Sequence, residues 1–154
     1  MKINKLRLIN KKEYLIVSRE NFSKDNDFLD YIAASLENGI QIIQLKEKHF
    51  NDKRTIELGK KIRELCSIYE ALFIVNSRAD IAQLVHADGI HLDADGIDSL
   101  SARELLGQNI IIGKTLNKED KIDEIDKNID YIFTEKTLEN TDITQFIYSE
   151  IKKF

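Results

Sequence analysis

Short apolar runs recur along this chain, and each is followed by a stretch with helical spacing. Tyr14 to Val17, residues 40 to 45, Leu72 to Val75, Gly89 to Leu92, residues 110 to 112 and Tyr131 to Phe133 read as strands. Between them, Leu29, Ile32, Ala33 and Leu36 recur at helical intervals, as do Ile62, Leu65, Cys66 and Tyr69. Shorter helices fit 77 to 85 and 99 to 106, a charged one carries Ile122, Ile125 and Ile129, and a last one carries Ile143, Phe146, Ile147 and Ile151. Ser23 or Asp25, Asn51 or Asp52, Asn117 and Asp142 supply N-terminal caps, while Asn38-Gly39 and Gly107 supply stops. Residues 3 to 9 fit a short strand or a packed arm.

Strand and helix thus alternate six times, with short connections. That order means an α/β fold: a parallel sheet with right-handed crossovers. The strand runs are apolar throughout rather than alternating, as expected when helices or a barrel interior cover both faces. Two closures satisfy this pattern, a doubly wound open sheet or a (β/α) barrel. A full barrel needs eight units and typically about 250 residues, and 154 residues supply six. No linker or low-complexity segment interrupts the chain, so residues 1–154 read as a single domain.

The second strand has an unusual tip. Ile-Gln-Ile-Ile-Gln-Leu-Lys-Glu-Lys, residues 40 to 48, begins apolar and ends in Gln44, Lys46 and Lys48, separated by Leu45 and Glu47. On an extended chain alternate residues share a face. Three anion-seeking side chains then point one way from the C-terminal end of a strand, where α/β folds bind ligands. The plainer reading is a strand end with solvated lysines.

Charge narrows the partners. There are 23 basic and 27 acidic residues, a net charge of −4, which argues against bulk nucleic-acid or anionic-membrane binding but allows a local basic pocket. The sequence has neither an apolar run long enough to span a bilayer nor a signal-peptide pattern, and its one cysteine, Cys66, forms no internal disulfide or cysteine zinc site. These features lead us to expect a cytoplasmic protein.

Five stretches carry a resemblance. They are Gln44-Leu45-Lys46-Glu47-Lys48, Phe73-Ile74-Val75-Asn76-Ser77-Arg78-Ala79-Asp80, Ala87-Asp88-Gly89-Ile90-His91-Leu92, Ala102-Arg103-Glu104-Leu105-Leu106-Gly107 and Ile111-Ile112-Gly113. In this order and spacing the chain resembles the thiamine phosphate synthase family and its relative, the thiazole tautomerase, from Tyr14 to about Tyr131. The resemblance implies a TIM-barrel-like fold shortened to six units, without strands 7 and 8. It implies thiamine biosynthesis, in which a hydroxymethylpyrimidine pyrophosphate loses pyrophosphate and a thiazole phosphate nitrogen takes its place. Gln44, Lys46, Lys48, Asn76 and Thr115 then surround the pyrophosphate, and Mg²⁺ is the expected cofactor.

Against that family the chain departs at its metal ligands. Ser77 stands where the family has an aspartate, and in Asp93-Ala94-Asp95-Gly96 the glycine stands where it has another. Asp93 and Asp95 are the remaining candidate metal ligands. Lys46 replaces an arginine, Asn117 replaces the tautomerase histidine, and Thr134 to Thr137 only echoes the family loop after strand 6. Among the other candidates, His91 reads as packed or hydrogen-bonded, His49 and His86 as surface residues, and Arg78 with Asp80 as ligand contacts or an ion pair. Tyr14, Phe73, Tyr131 and Phe133 read as core.

Two function classes follow. One is an enzyme handling phosphorylated pyrimidine and thiazole. The other is a degenerate relative that binds an anion or thiamine intermediate without turnover. For either we expect a small phosphorylated or pyrophosphorylated ligand, no nucleic acid, no membrane, and a homo-oligomer covering the open barrel edge.

Overall fold

The computed structural model describes residues 7–8, 11, 13–117, 119, 126–133 and 143–145. Its strands are β1 (Glu13–Val17), β2 (Ile42–Leu45), β3 (Leu72–Asn76), β4 (Gly89–Leu92), β5 (Ile111–Thr115), β6 (Tyr131–Phe133) and β7 (Ile143–Gln145). Its helices are α1 (Asp25–Glu37), α2 (Asp52–Ile68), α3 (Ala79–Leu84) and α4 (Ser99–Leu106). The sheet order is β6-β5-β4-β3-β2-β1-β7. The first six strands are parallel neighbours in chain order, as the alternation predicts.

One expectation is overturned here. The spacing of Ile143, Phe146, Ile147 and Ile151 predicts a helix opening at Asp142, but Ile143–Gln145 is a strand lying antiparallel against β1. A free strand edge carries unpaired backbone groups that seek partners. That demand comes from the far end of the chain, and a local apolar pattern cannot register it. The expected stripe at Ile122 and Ile125 and the loop from Thr134 to Thr137 lie outside the described residues, whereas Ile129 is buried in a non-helical stretch before β6.

Period-two alternation sorts the strand residues onto two faces. Leu15, Val17, Ile43, Leu45, Phe73 and Val75 face outward and pack under Phe28, Ile32 and Leu36 of α1 and Leu58, Ile62 and Cys66 of α2. Ile90, Leu92, Ile112 and Ile132 do the same with Ala102 of α4. Tyr69, expected on the α2 stripe, instead ends that helix and is 41% exposed. The inward residues Tyr14, Ile42, Leu72, Ile74, Ile111, Tyr131 and Phe133 form a separate buried cluster with Leu8. Each such side chain, fully buried, contributes roughly 1.5–3 kcal/mol.

That inner cluster shows how far the sheet curls. β1 and β6 have four strands between them, yet Tyr14 meets Phe133 edge-on at 4.7 Å between ring centroids and Tyr131 at 5.9 Å. Such contacts require strands that tilt and wrap around an interior, as in a barrel wall.

The helix ends follow the expected chemistry in part. Asn51 caps α2, its Oδ1 accepting from the Arg54 N–H at 2.9 Å. Neither Ser23 nor Asp25 caps α1; Lys24 occupies the cap position, and Asp25 instead accepts from Arg19 and Arg54. Gly39 and Gly107 end α1 and α4 at φ of 106° and 91°, a region that favours glycine.

The N-terminal ends of the strands are tied by buried charge. Arg103 is 4% exposed and its guanidinium donates to the Ile110 and Asn128 carbonyls at 2.5 and 2.6 Å, and to Asp130 at 3.0 Å. Asp130 also accepts from the Ile112 N–H at 2.9 Å. Asp88 accepts from the Phe73 N–H and from Arg63 at 2.8 and 2.6 Å, and from Arg7. A buried guanidinium needs hydrogen bonds of this kind to offset its desolvation.

Glycine at 113 is required by a close approach. The Tyr131 ring lies directly over it, where a Cβ would fall. Gly113→Ala should therefore lower stability by at least about 1–3 kcal/mol through overpacking. Urea unfolding measures this, and an unchanged midpoint would place the ring elsewhere.

Candidate functional site at the strand tips

Four neighbouring strands bring one row of residues level: Asn76 pairs with His91, His91 with Gly113, and Gly113 with Tyr131. Asn76 and His91 of this row line a cavity of about 190 Å³ at the C-terminal ends of the strands. Gln44, Lys46, Asn76, His91, Asp93, Thr115 and Asn117 line it, with Ile16 and Phe133 as its apolar walls. A second, larger cavity of about 480 Å³ adjoins it and takes in Glu47, Lys48, Ser77, Arg78, Asp95 and Gly96. Asn76 and Asp93 line both.

The sequence-predicted residues take distinct places in this pair of cavities. Gln44 is buried in the floor, its Oε1 accepting from Asn76 Nδ2 at 3.0 Å while its Nε2 donates to the Tyr14 hydroxyl at 2.8 Å. Lys46 is exposed at the rim of the smaller cavity, and Lys48 at that of the larger one. Lys48 Nζ stands 3.6 Å from the Asp93 carboxylate, which Asn76 Nδ2 approaches at 3.3 Å on its other oxygen. Thr115 is half-buried, its Oγ1 2.8 Å from His91 Nε2.

Below the rim runs a buried polar chain. His91 Nδ1 lies 3.0 Å from the Tyr131 hydroxyl, and Tyr131 lies 2.7 Å from the Tyr14 hydroxyl. Tyr14 and Tyr131 were expected as plain core residues, and both are fully buried. Their inward placement is readable from strand periodicity. Their meeting depends on the curl of the sheet and has no local signal. Burial raises both phenol pKa values, so both stay protonated.

The loop after β3 is strained. Ser77 holds φ at +57°, the left-handed region, while its N–H donates to the His91 carbonyl at 2.8 Å. Next to it Arg78 bonds Asp80 at 2.7 and 3.0 Å and Asp52 at 3.0 Å, joining the first turns of α2 and α3. This ion pair holds the Asp80 carboxyl below the usual range, chiefly through the hydrogen bond from Arg78. All three groups are well exposed, so the tie orients the loop more than it stabilises the fold.

Ser77 and Gly96, the two departures from the family metal ligands, face one another: a Cβ on Gly96 would lie 3.4 Å from that of Ser77. Among the described residues no cluster of three or more His, Cys, Asp or Glu side chains could hold a metal. Asp93 is engaged by Lys48 and Asn76, and Asp95 is an exposed turn residue. Asp93 and Asp95 line the same cavity. Because Mg²⁺ keeps several waters and takes only one or two carboxylates beside substrate phosphates, this pair would hold it only together with a bound phosphate. No helix among the described residues is long and apolar enough to cross a membrane.

His91 carries a pH signature. Burial, together with the Lys46 charge and against the opposing pull of Asp93, pushes its pKa down to about 3. In the unfolded chain the ring takes up a proton near pH 6.5. Between those values the unfolded state binds a proton that the folded state refuses, so stability that is full above about pH 6.5 falls as the pH drops. The slope reaches about 1.4 kcal/mol per pH unit. Urea midpoints at pH 7 and pH 5 should converge for His91→Gln relative to the parent protein; an equal acid loss in both would assign the effect to other groups.

Comparison with known proteins places this geometry. Residues 13–141 match a sequence model of the family described as thiamine monophosphate synthase (TMP-TENI). A thiamine-phosphate synthase of Nostoc punctiforme is 40% identical over 111 residues, which is 71% of this chain and 32% of that protein. One from Caldicellulosiruptor saccharolyticus is 36% identical over 132 residues, 85% of this chain and 60% of that protein. A solved structure, thiamine phosphate pyrophosphorylase from Pyrococcus furiosus, superposes with a TM-score of 0.71 at 28% identity, covering 84% of this chain and 61% of that one. The chain therefore spans between about a third and three fifths of the length of these relatives. The parallel strand order, the polar strand tips and the family match agree: this chain belongs to the thiamine monophosphate synthase (TMP-TENI) family.

Proposed function

We propose that the chain handles phosphorylated pyrimidine and thiazole in the formation of thiamine phosphate, with its anion held at the strand-tip cavities. The observation that carries this is the placing of Lys46, Lys48, Asn76 and Thr115 around adjoining hollows at the C-terminal ends of the parallel strands. In this reaction the bond from the pyrimidine methylene carbon to the pyrophosphate oxygen breaks, and the electron pair leaves with the pyrophosphate. The thiazole nitrogen supplies the pair for the new carbon–nitrogen bond. Negative charge grows on the departing oxygen, and positive side chains already in place stabilise it without reorganising.

Lys46 and Lys48 are suited to that task because both ammonium groups stand at the cavity rims. Lys48 is held only loosely, at 3.6 Å from Asp93, so a diphosphate can draw it away. Asn76 keeps its amide aimed between the cavities through Gln44 and Asp93. No step here is routed through a metal. A cytoplasmic setting and a second copy of the chain covering the open barrel edge complete the reading.

Thiamine phosphate formation from the two purified precursors tests the activity. Removing one such stabiliser typically costs about 10²–10³ in rate, so Lys46→Ala and Lys48→Ala should each lose turnover on that order. Pyrophosphate binding with no product in the parent protein would instead make it a binder without turnover. Light scattering of the same preparations should give more than one chain per particle, and a single-chain mass would remove the second copy.

A further inference from the structure

The polar chain beneath the cavity has a direction, and the direction decides what Thr115 offers a ligand. Gln44 receives a hydrogen from Asn76 on its Oε1 and gives one to Tyr14 from its Nε2. Tyr14, having accepted, has its own hydrogen to give, and the Tyr131 oxygen lies 2.7 Å away. Tyr131 in turn faces His91 Nδ1 at 3.0 Å, and His91 Nε2 faces Thr115 Oγ1 at 2.8 Å. A neutral imidazole carries one hydrogen, so one ring nitrogen accepts and the other donates. Burial keeps this ring neutral.

Run forward from Asn76, each group receives one hydrogen and passes one on, and adjacent bonds of this kind strengthen each other. The His91 hydrogen then sits on Nε2 and is given to Thr115, whose own hydroxyl hydrogen is turned toward the cavity. Run in reverse, two donors converge on the Tyr14 oxygen, Thr115 gives its hydrogen to His91, and only its lone pairs face the ligand. Lone pairs repel an anion.

We propose that Tyr14, Tyr131 and His91 are positioning residues, a one-way hydrogen-bond chain that fixes the Thr115 hydroxyl as a donor to the phosphate oxygens of the ligand. The inference rests on the anion-binding reading above and adds to it the buried residues that set the polarity of the pocket. Tyr14 and Tyr131 lie beneath the cavity, and His91 lines it beside Thr115. They act through Thr115.

The chain can be read in the free protein. Long-range proton–nitrogen correlation NMR of the nitrogen-15-labelled protein, with the His91 signals assigned by their loss in His91→Gln, should show the ring hydrogen on Nε2. In Tyr131→Phe, which keeps the ring packing and removes the link, the hydrogen should shift toward Nδ1. Calorimetry with inorganic pyrophosphate should then show affinity weaker by about three- to tenfold, the effect of one lost hydrogen bond. Thr115→Val should lose a similar amount, and Thr115→Ser should recover most of it. If Tyr131→Phe does not fold, Tyr14→Phe breaks the same chain one bond upstream. A hydrogen on Nδ1 in the parent protein, or a Tyr131→Phe variant that binds pyrophosphate as the parent does, overturns the proposal alone. A parent protein that binds no pyrophosphate overturns the anion-binding reading and this proposal together.

Discussion

The contact between Tyr14 and Tyr131 organises the structure. The two residues are 117 positions apart, and their hydroxyls lie 2.7 Å from each other inside a curled sheet. A flat sheet would hold β1 and β6 far apart, with β2 to β5 between them. Because they meet, six parallel strands enclose an interior, and their C-terminal tips converge instead of fanning out. Two phenols buried in an apolar cluster need partners, and they find Gln44 and His91 as well as each other. The packing requirement of the interior and the polar floor of the cavity are thus met by the same side chains.

Charge is arranged differently above and below that contact. Below, Arg103 with Asp130 and Arg63 with Asp88 are buried or half-buried and fully engaged with backbone, which fits a stabilising role. Above, Lys46 and Lys48 are exposed, and Lys48 has one long contact to Asp93. Positive groups left loosely held beside a cavity are available to an incoming anion. The facing positions Ser77 and Gly96 carry no carboxylate, so the charge of the larger hollow comes from Lys48 and Arg78 against Glu47, Asp52, Asp93 and Asp95.

Much of this was legible in the sequence because it is local. Apolar strand runs, helical stripes, the Asn51 cap and the glycine stops each depend on residues within a few positions. So does the tip bearing Gln44, Lys46 and Lys48, whose alternation follows from strand geometry. What escaped depends on distance. The residues from Asp142 onward have a helical pattern, yet Ile143–Gln145 answers to the free edge of β1. Tyr14 and Tyr131 read as core, and they are core. Their joining into one chain with His91 and Thr115 needs the curl and tilt of strands formed by most of the sequence. Gln44 illustrates the same limit: its face was predictable, but not the use of both ends of its amide by Asn76 and Tyr14.

The central claim is that the curled sheet gathers an anion site at its strand tips. Backbone amide shifts during titration with inorganic pyrophosphate test it most directly. The account predicts changes at Lys46 to Lys48, Asn76 to Arg78, Asp93 to Gly96 and Thr115 to Asn117, with the opposite end of the strands silent. Changes centred on Arg63 and Asp88, or on the outer surface of α4 near Leu100, would contradict it.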